Sequence, residues 1–163
     1  MFIDQLQTPV ALVDLDKLED NIGRLQSYLD SHGITNWPHI KTHKIPAIAQ
    51  KQIAAGAVGI TCQKLGEAEI MAQAGIQNIF LPYNLVGQAK LDRLMRLAEQ
   101  IRISVTADSA FVVDGLGGAA LRTHPVPPGR REFRKCETPG KLHYRQSMAS
   151  WMGRAFHDGL LHE

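Results

Sequence analysis

Cysteine is scarce in this chain: there are two in 163 residues, Cys62 and Cys136. That is too few for a disulfide framework, so a reducing, cytoplasmic setting is expected. No secretory leader is expected either, because the opening MFIDQLQTPVALVDLD has neither a basic start nor a long apolar run. No stretch approaches the roughly 18 apolar residues of a membrane helix, so no membrane partner is expected. Charge of one sign is also missing. Eighteen Lys and Arg face sixteen Asp and Glu, a net of +2, which gives no electrostatic footprint for nucleic acid. No Gly-x-Gly-x-x-Gly follows any candidate strand, which weakens a dinucleotide-binding sheet. What the chain does have is 44% hydrophobic residues within the length of one ordinary domain, enough for a real core.

Those apolar residues alternate between strand-like runs and helix-like stripes. Val10–Val13 reads as a short buried strand. Asp16 followed by Glu19 resembles a capping box, with Leu18, Ile22, Leu25 and Leu29 at helical spacing behind it and Gly33 as the stop. A second unit begins at Ile34–Ile40. Its helix should start at Pro46, a residue suited to a first turn, with Ile45, Ile48, Ala49 and Ile53 as its stripe and Gly56 as its end. Three further strands are expected at Val58–Cys62, Asn78–Leu81 and Arg102–Ala107. The helix between the last two carries Leu91, Leu94, Met95, Ala98 and Ile101 on one face. Five βα units in series imply an α/β fold with parallel strands. Periodicity alone leaves open whether they form a doubly wound sheet or part of a TIM-type (β/α) barrel.

The pattern covers residues 1–118 and then stops. Residues 119–163 form an irregular, proline-rich C-terminal tail holding four of the eight prolines. Residues 1–121 carry 10 basic and 12 acidic side chains, whereas residues 122–163 carry 8 and 4. This switch reads either as a basic surface extension, with one short amphipathic helix through Met148, Trp151, Met152, Ala155 and Phe156, or as a truncated barrel whose end is out of frame. His124, Cys136, His143, His157 and His162 show no spacing expected of metal ligands.

The densest polar cluster is Pro38-His39-Ile40-Lys41-Thr42-His43-Lys44, at the end of the second expected strand. In a parallel βα fold the C-terminal strand ends form the reactive face. Period-2 alternation would place His39, Lys41 and His43 on one side, Ile40 and Thr42 on the other. A lysine set there suits an imine-forming amine, because burial and neighbouring positive charge favour the neutral form of an amine. The same residues also suit a solvated strand end or a basic phosphate-binding loop. Gln63 and Lys64 follow the third strand onto the same face, and Asn84 follows the fourth. Glu67 and Glu69 suit a solvated helix face, and Asp108 suits the cap of the last helix.

Three motifs in one order, TPVALVDLDKLEDNI, WPHIKTHK and AGAVGITCQKLGEAEIMAQAG, resemble the N-terminal domain of the alanine-racemase-like enzymes. The D-threonine aldolase and D-serine dehydratase branch is the most similar, over about residues 8–118. The resemblance implies a fold-type III pyridoxal 5'-phosphate (PLP) barrel. It implies that Lys41 forms the Schiff base with PLP, that His39 lines the pocket, and that Gln63 reaches the cofactor's phenolic oxygen. The implied activity is a lyase acting on a D-amino acid, by aldol cleavage or by elimination. A non-catalytic PLP-binding protein and an inactive fragment are the alternatives, and a homodimer is possible. The family's phosphate anchor and its divalent metal come from later segments, and residues 119–163 carry neither pattern.

Overall fold

In a computed structural model the structure describes residues 3–123 and the short segments 133–134 and 145–146. After one 3-10 turn at Ile3–Gln5 come helix α1 (Leu15–Ser31), α2 (Pro46–Ala54), strand β1 (Ile60–Thr61), α3 (Leu65–Gln73), β2 (Asn78–Leu81), α4 (Gln88–Ala98), β3 (Arg102–Val105) and α5 (Ala110–Thr123). Phe133–Arg134 and Arg145–Gln146 form a separate antiparallel pair. The tail residues proposed for a helix, and the histidines and cysteine beyond residue 123, lie outside the described residues.

The three strands pair in parallel in the order β1-β2-β3, and His39 adds a parallel bridge to Thr61 on the outer side of β1. Sequence order and spatial order therefore coincide in these three strands, with no reversal among them. The helices follow suit: α1 packs on α2, α2 on α3, α3 on α4, and α4 on α5. One helical layer covering one face of sequentially ordered parallel strands is the arrangement of a barrel arc. A doubly wound sheet reverses direction and places helices on both faces.

Register sorts the strand residues onto two faces. Ile60, Ile79 and Ile103 stand side by side and are buried against the helices with Ile40, Leu65, Met71, Leu91 and Leu94. On the opposite face, Thr61, Phe80 and Ser104 form a row that the bridge extends to His39. Trp37 lies on this side as well, meeting Phe80 edge-on at 6.5 Å between ring centroids. The helical stripe of α4 is buried as the spacing predicts, through Leu91, Leu94, Met95 and Ala98, with Ile101 just beyond its end.

Three expectations need correction. Val10–Val13 is not a strand: Val10, Leu12 and Val13 are exposed, and no described strand lies beside them to complete a ladder. α1 starts two residues earlier than the Asp16 capping box implies. Asp14 is the cap, its carboxylate accepting the Lys17 backbone N–H at 3.1 Å, and Glu19 instead pairs with Lys51 of α2 at 2.5 Å. Within α1, Leu25 is 52% exposed, while Gln26 is buried at 5%. The Gln26 amide donates to Asp30 Oδ1 at 2.8 Å and accepts from Asn36 Nδ2 at 2.9 Å, so a polar residue can occupy the inward position without an unmade bond.

Gly59 precedes β1 at a close approach. A Cβ added there would lie 2.4 Å from Trp37 Cζ3 and 2.7 Å from the Asn78 carbonyl oxygen. The backbone of β2 cannot give way without losing its ladder. Gly59→Ala should therefore destabilise the fold by about 1–3 kcal/mol, the usual range for overpacking. The guanidinium unfolding midpoint measures this, and an unchanged midpoint would show that Trp37 swings aside freely.

Candidate functional site

The chain segments leaving His39, β1, β2 and β3 all emerge at one edge, because the strands are parallel. Backbone geometry at the first of them departs from the expected alternation. His39 and Ile40 alternate as in a strand, with His39 half-buried on the open face and Ile40 fully buried in the core. The chain then turns: the Lys44 N–H donates to the Ile40 carbonyl at 2.8 Å, closing a turn over residues 40–44. His39, Lys41 and His43 consequently do not share a strand face. Lys41 and Thr42 are exposed at the turn, and His43 folds back to become half-buried.

Local hydrogen bonds define this turn. The Lys41 backbone N–H donates to His39 Nδ1 at 3.2 Å, and the Ile45 N–H donates to His43 Nδ1 at 3.0 Å. With Nδ1 accepting, a neutral His39 carries its proton on Nε2. Lys44 takes a left-handed backbone conformation, φ 53°. That conformation delivers Pro46 to the first turn of α2, where its missing N–H costs nothing.

The next segment is Cys62-Gln63-Lys64. Cys62 is fully buried, while Gln63 and Lys64 are exposed. The Gln63 N–H donates to Glu67 Oε2 at 2.8 Å, and Glu67 Oε1 accepts the Lys44 ammonium across the gap between turn and helix. Burial alone would raise the Glu67 carboxyl, but the Lys44 ammonium and the Gln63 N–H outweigh it and hold it below the usual carboxylate range. Burial, reinforced by the Glu67 charge, pushes the Cys62 thiol up to about 12, so it stays protonated and is no nucleophile at neutral pH. Glu67 is thus not the solvated helix residue that its position in α3 suggests. Its signal in the sequence, a carboxylate four residues after Gln63 at a helix start, is indistinguishable from an ordinary first-turn acid. Glu69 likewise is paired, to Arg93 Nε at 2.8 Å and to a second guanidinium nitrogen.

After β2, Tyr83 and Asn84 are half-buried at the same edge. The Tyr83 hydroxyl accepts the Leu65 N–H at 3.2 Å, and Asn84 Oδ1 is buried with no hydrogen-bond partner. After β3, Asp108 is exposed and does not cap α5. Ser109 does, its Oγ facing the Val112 N–H at 3.4 Å. The edge therefore brings Lys41, Gln63, Lys64 and Asn84 onto one rim, with His39 behind Lys41. Among the described residues, no group of three or more His, Cys, Asp and Glu side chains is placed to hold a metal, and no helix is long and apolar enough to cross a membrane.

A parallel βα layer with a lysine-bearing turn at the C-terminal strand edge is the class of site that results. Residues 13–127 match the family model described as alanine racemase, N-terminal domain, and the chain belongs to that family. It is 43% identical over 118 residues to the D-threonine aldolase of an Arthrobacter species, covering 72% of this chain and 31% of that protein. It is 36% identical over 120 residues to the 3-hydroxy-D-aspartate aldolase of Paracoccus denitrificans, with the same coverage. The crystal structure of the D-threonine aldolase of Filomicrobium marinum superposes with a TM-score of 0.72 at 38% identity, over 74% of this chain and 32% of that one. The D-threo-3-hydroxyaspartate dehydratase of Delftia sp. HT23 gives 0.68 at 32% identity, over 73% and 31%. The chain thus spans under a third of the length of these relatives.

His43 supplies a pH test of the turn. Burial pushes its imidazole below the usual 6.5, with the neighbouring Gln52 amide acting in the opposite direction. As pH falls through 6.5 the unfolded chain gains a proton that the folded chain resists, so stability present above that pH is lost on acidification. The melting temperature should therefore drop from about pH 7.5 to about pH 5, and His43→Gln should flatten that slope. Parallel slopes in the two proteins would mean that the ring is not desolvated.

Proposed function

We propose that this chain carries the cofactor-bearing segment of a PLP-dependent lyase acting on D-amino acids, with Lys41 as the residue that holds the cofactor. The observation that carries this reading is the position of Lys41. Its amine stands open on a turn at the C-terminal edge of the parallel sheet, inside the Pro-His-Ile-Lys-Thr-His-Lys block and within the family match. The surroundings fit a polar, planar ligand. Asn84 presents a buried oxygen with no donor, and the rim also holds Gln63 and Lys64.

PLP supplies an electron sink for the bond that breaks next to the substrate nitrogen. The chain's own residues supply placement. Lys41 holds the cofactor through its side-chain amine. His39 sets the turn by accepting the Lys41 N–H, which leaves Nε2–H facing away from that bond. Gln63 contributes a side-chain amide at the rim as a donor to the cofactor ring. The described residues have no cluster fit for a metal, so no step is assigned to one.

The relatives' names share one substrate feature: a D-configured amino acid with a hydroxyl on the β-carbon, cleaved in two of them and dehydrated in the third. We assign that substrate class here, and the architecture we assign is the N-terminal part of an eight-unit (β/α) barrel over residues 1–118, in which β1, β2, β3 and the His39 bridge supply the parallel pairing.

Borohydride reduction after mixing with PLP should leave a pyridoxyl group on Lys41, as read by peptide mass spectrometry. Lys41→Ala should abolish the specific absorbance at about 420 nm that a protonated imine of PLP with a lysine displays. Label on Lys44 or Lys64 with Lys41 free would sink the assignment.

A further inference from the structure

We infer that Lys44 and Glu67 are positioning residues: their ion pair, tied to the Gln63 N–H, is a latch that fixes the Lys41 turn against the neighbouring strand end. This rests on the assignment of Lys41 made above and goes beyond it, to how that amine is aimed.

Three observations converge on the latch. First, the Lys44 backbone lies in the left-handed region, φ 53°, which costs an ordinary side chain about 1 kcal/mol or more and which glycine adopts freely. A lysine in such a place needs its side chain for something. Second, that side chain crosses from the turn to Glu67 in α3, a contact 23 residues away in sequence. Third, Glu67 is mostly buried while Lys44 is half-exposed, and the second carboxylate oxygen takes the Gln63 N–H at 2.8 Å. One carboxylate therefore joins the loop after His39 to the loop after β1. These are the two loops that carry Lys41 and Gln63.

The geometric consequence is specific. Lys41 is exposed on the turn, so the aim of its long side chain depends on where its backbone sits. That backbone is fixed at both ends of the turn: at the start by Ile40 in the core, and at the finish by Lys44 through Glu67. Orientation of a reacting amine carries much of its rate, and the same holds for its equilibrium with an aldehyde held elsewhere.

Three variants of the full chain test the inference. Glu67→Gln keeps an acceptor for the Gln63 N–H but loses the charge pair. Lys44→Gly removes the side chain while easing the backbone. Lys44→Arg keeps the pair. The first readout needs no cofactor. Backbone amide order parameters for residues 41–44 should sit near about 0.85 in the parent and Lys44→Arg, and fall toward about 0.6 in the other two. The second is the PLP concentration at half-maximal absorbance near 420 nm. It should rise about tenfold in Glu67→Gln and Lys44→Gly, the worth of one charge-assisted hydrogen bond, and recover in Lys44→Arg.

A merely structural lysine predicts the opposite for Lys44→Gly, which would then be neutral or better. Unchanged order parameters in both Glu67→Gln and Lys44→Gly overturn the latch whatever the cofactor does. A loosened turn with an unchanged PLP titration overturns the positioning role. Pyridoxyl label on another lysine in the parent chain removes the assignment of Lys41 and with it the latch's purpose, while the order parameters still decide whether the latch holds the turn.

Discussion

The structure depends on one constraint, the parallel register that sets Ile60 beside Ile79 and Ile79 beside Ile103. Side chains in a strand alternate, so burying this row against the helices commits every other strand residue to the opposite face. A slip of one residue would drive Thr61, Phe80 and Ser104 into the aliphatic layer and turn the isoleucines outward. Register also decides where strands end. Because all of them run the same way, the segments after His39, Thr61, Leu81 and Val105 leave at a common rim. Residues separated by tens of positions in the chain meet there for that reason alone.

Much of this was legible in the sequence, and its limits have physical causes. The helices α2 and α4 and the strand Asn78–Leu81 were readable: Pro46 and Gly56 bracket the stripe of α2, and the apolar residues of α4 keep helical spacing. Val10–Val13 misled because an apolar run specifies burial only where neighbouring strands exist to receive it. Leu25 and Gln26 exchanged roles because periodicity weighs only apolarity, whereas Gln26 is buried by satisfying its amide. Asp108 lost the cap to Ser109, one residue on, a distinction beyond what side-chain preference resolves.

The strand direction puts Lys41, Gln63 and Asn84 at the C-terminal edge as expected, but the geometry of the first segment differs from the expected alternation. Alternation predicted three inward side chains at 39, 41 and 43, and a five-residue turn broke that pattern. Nothing in the local sequence announces the turn, since lysine is not a residue expected at positive φ. Glu67 was hidden for a related reason. Its partner Lys44 lies 23 residues away, and only the packing of α3 beside the turn brings the two together.

Gln26 gives α1 a different kind of anchorage from the other helices. An apolar stripe grips weakly against rotation and sliding, because one methyl contact substitutes for another at little cost. A buried amide steadied by Asp30 on the next turn of α1, and accepting from Asn36 beyond the helix, has no such near-equivalent neighbours. A Cβ at Gly56 would come within 3.1 Å of the same amide, so the loop fits it without slack. The first helix is thereby indexed like a gear tooth. It sits in one rotational setting or loses its bond from Asn36, although its apolar residues alone would tolerate several.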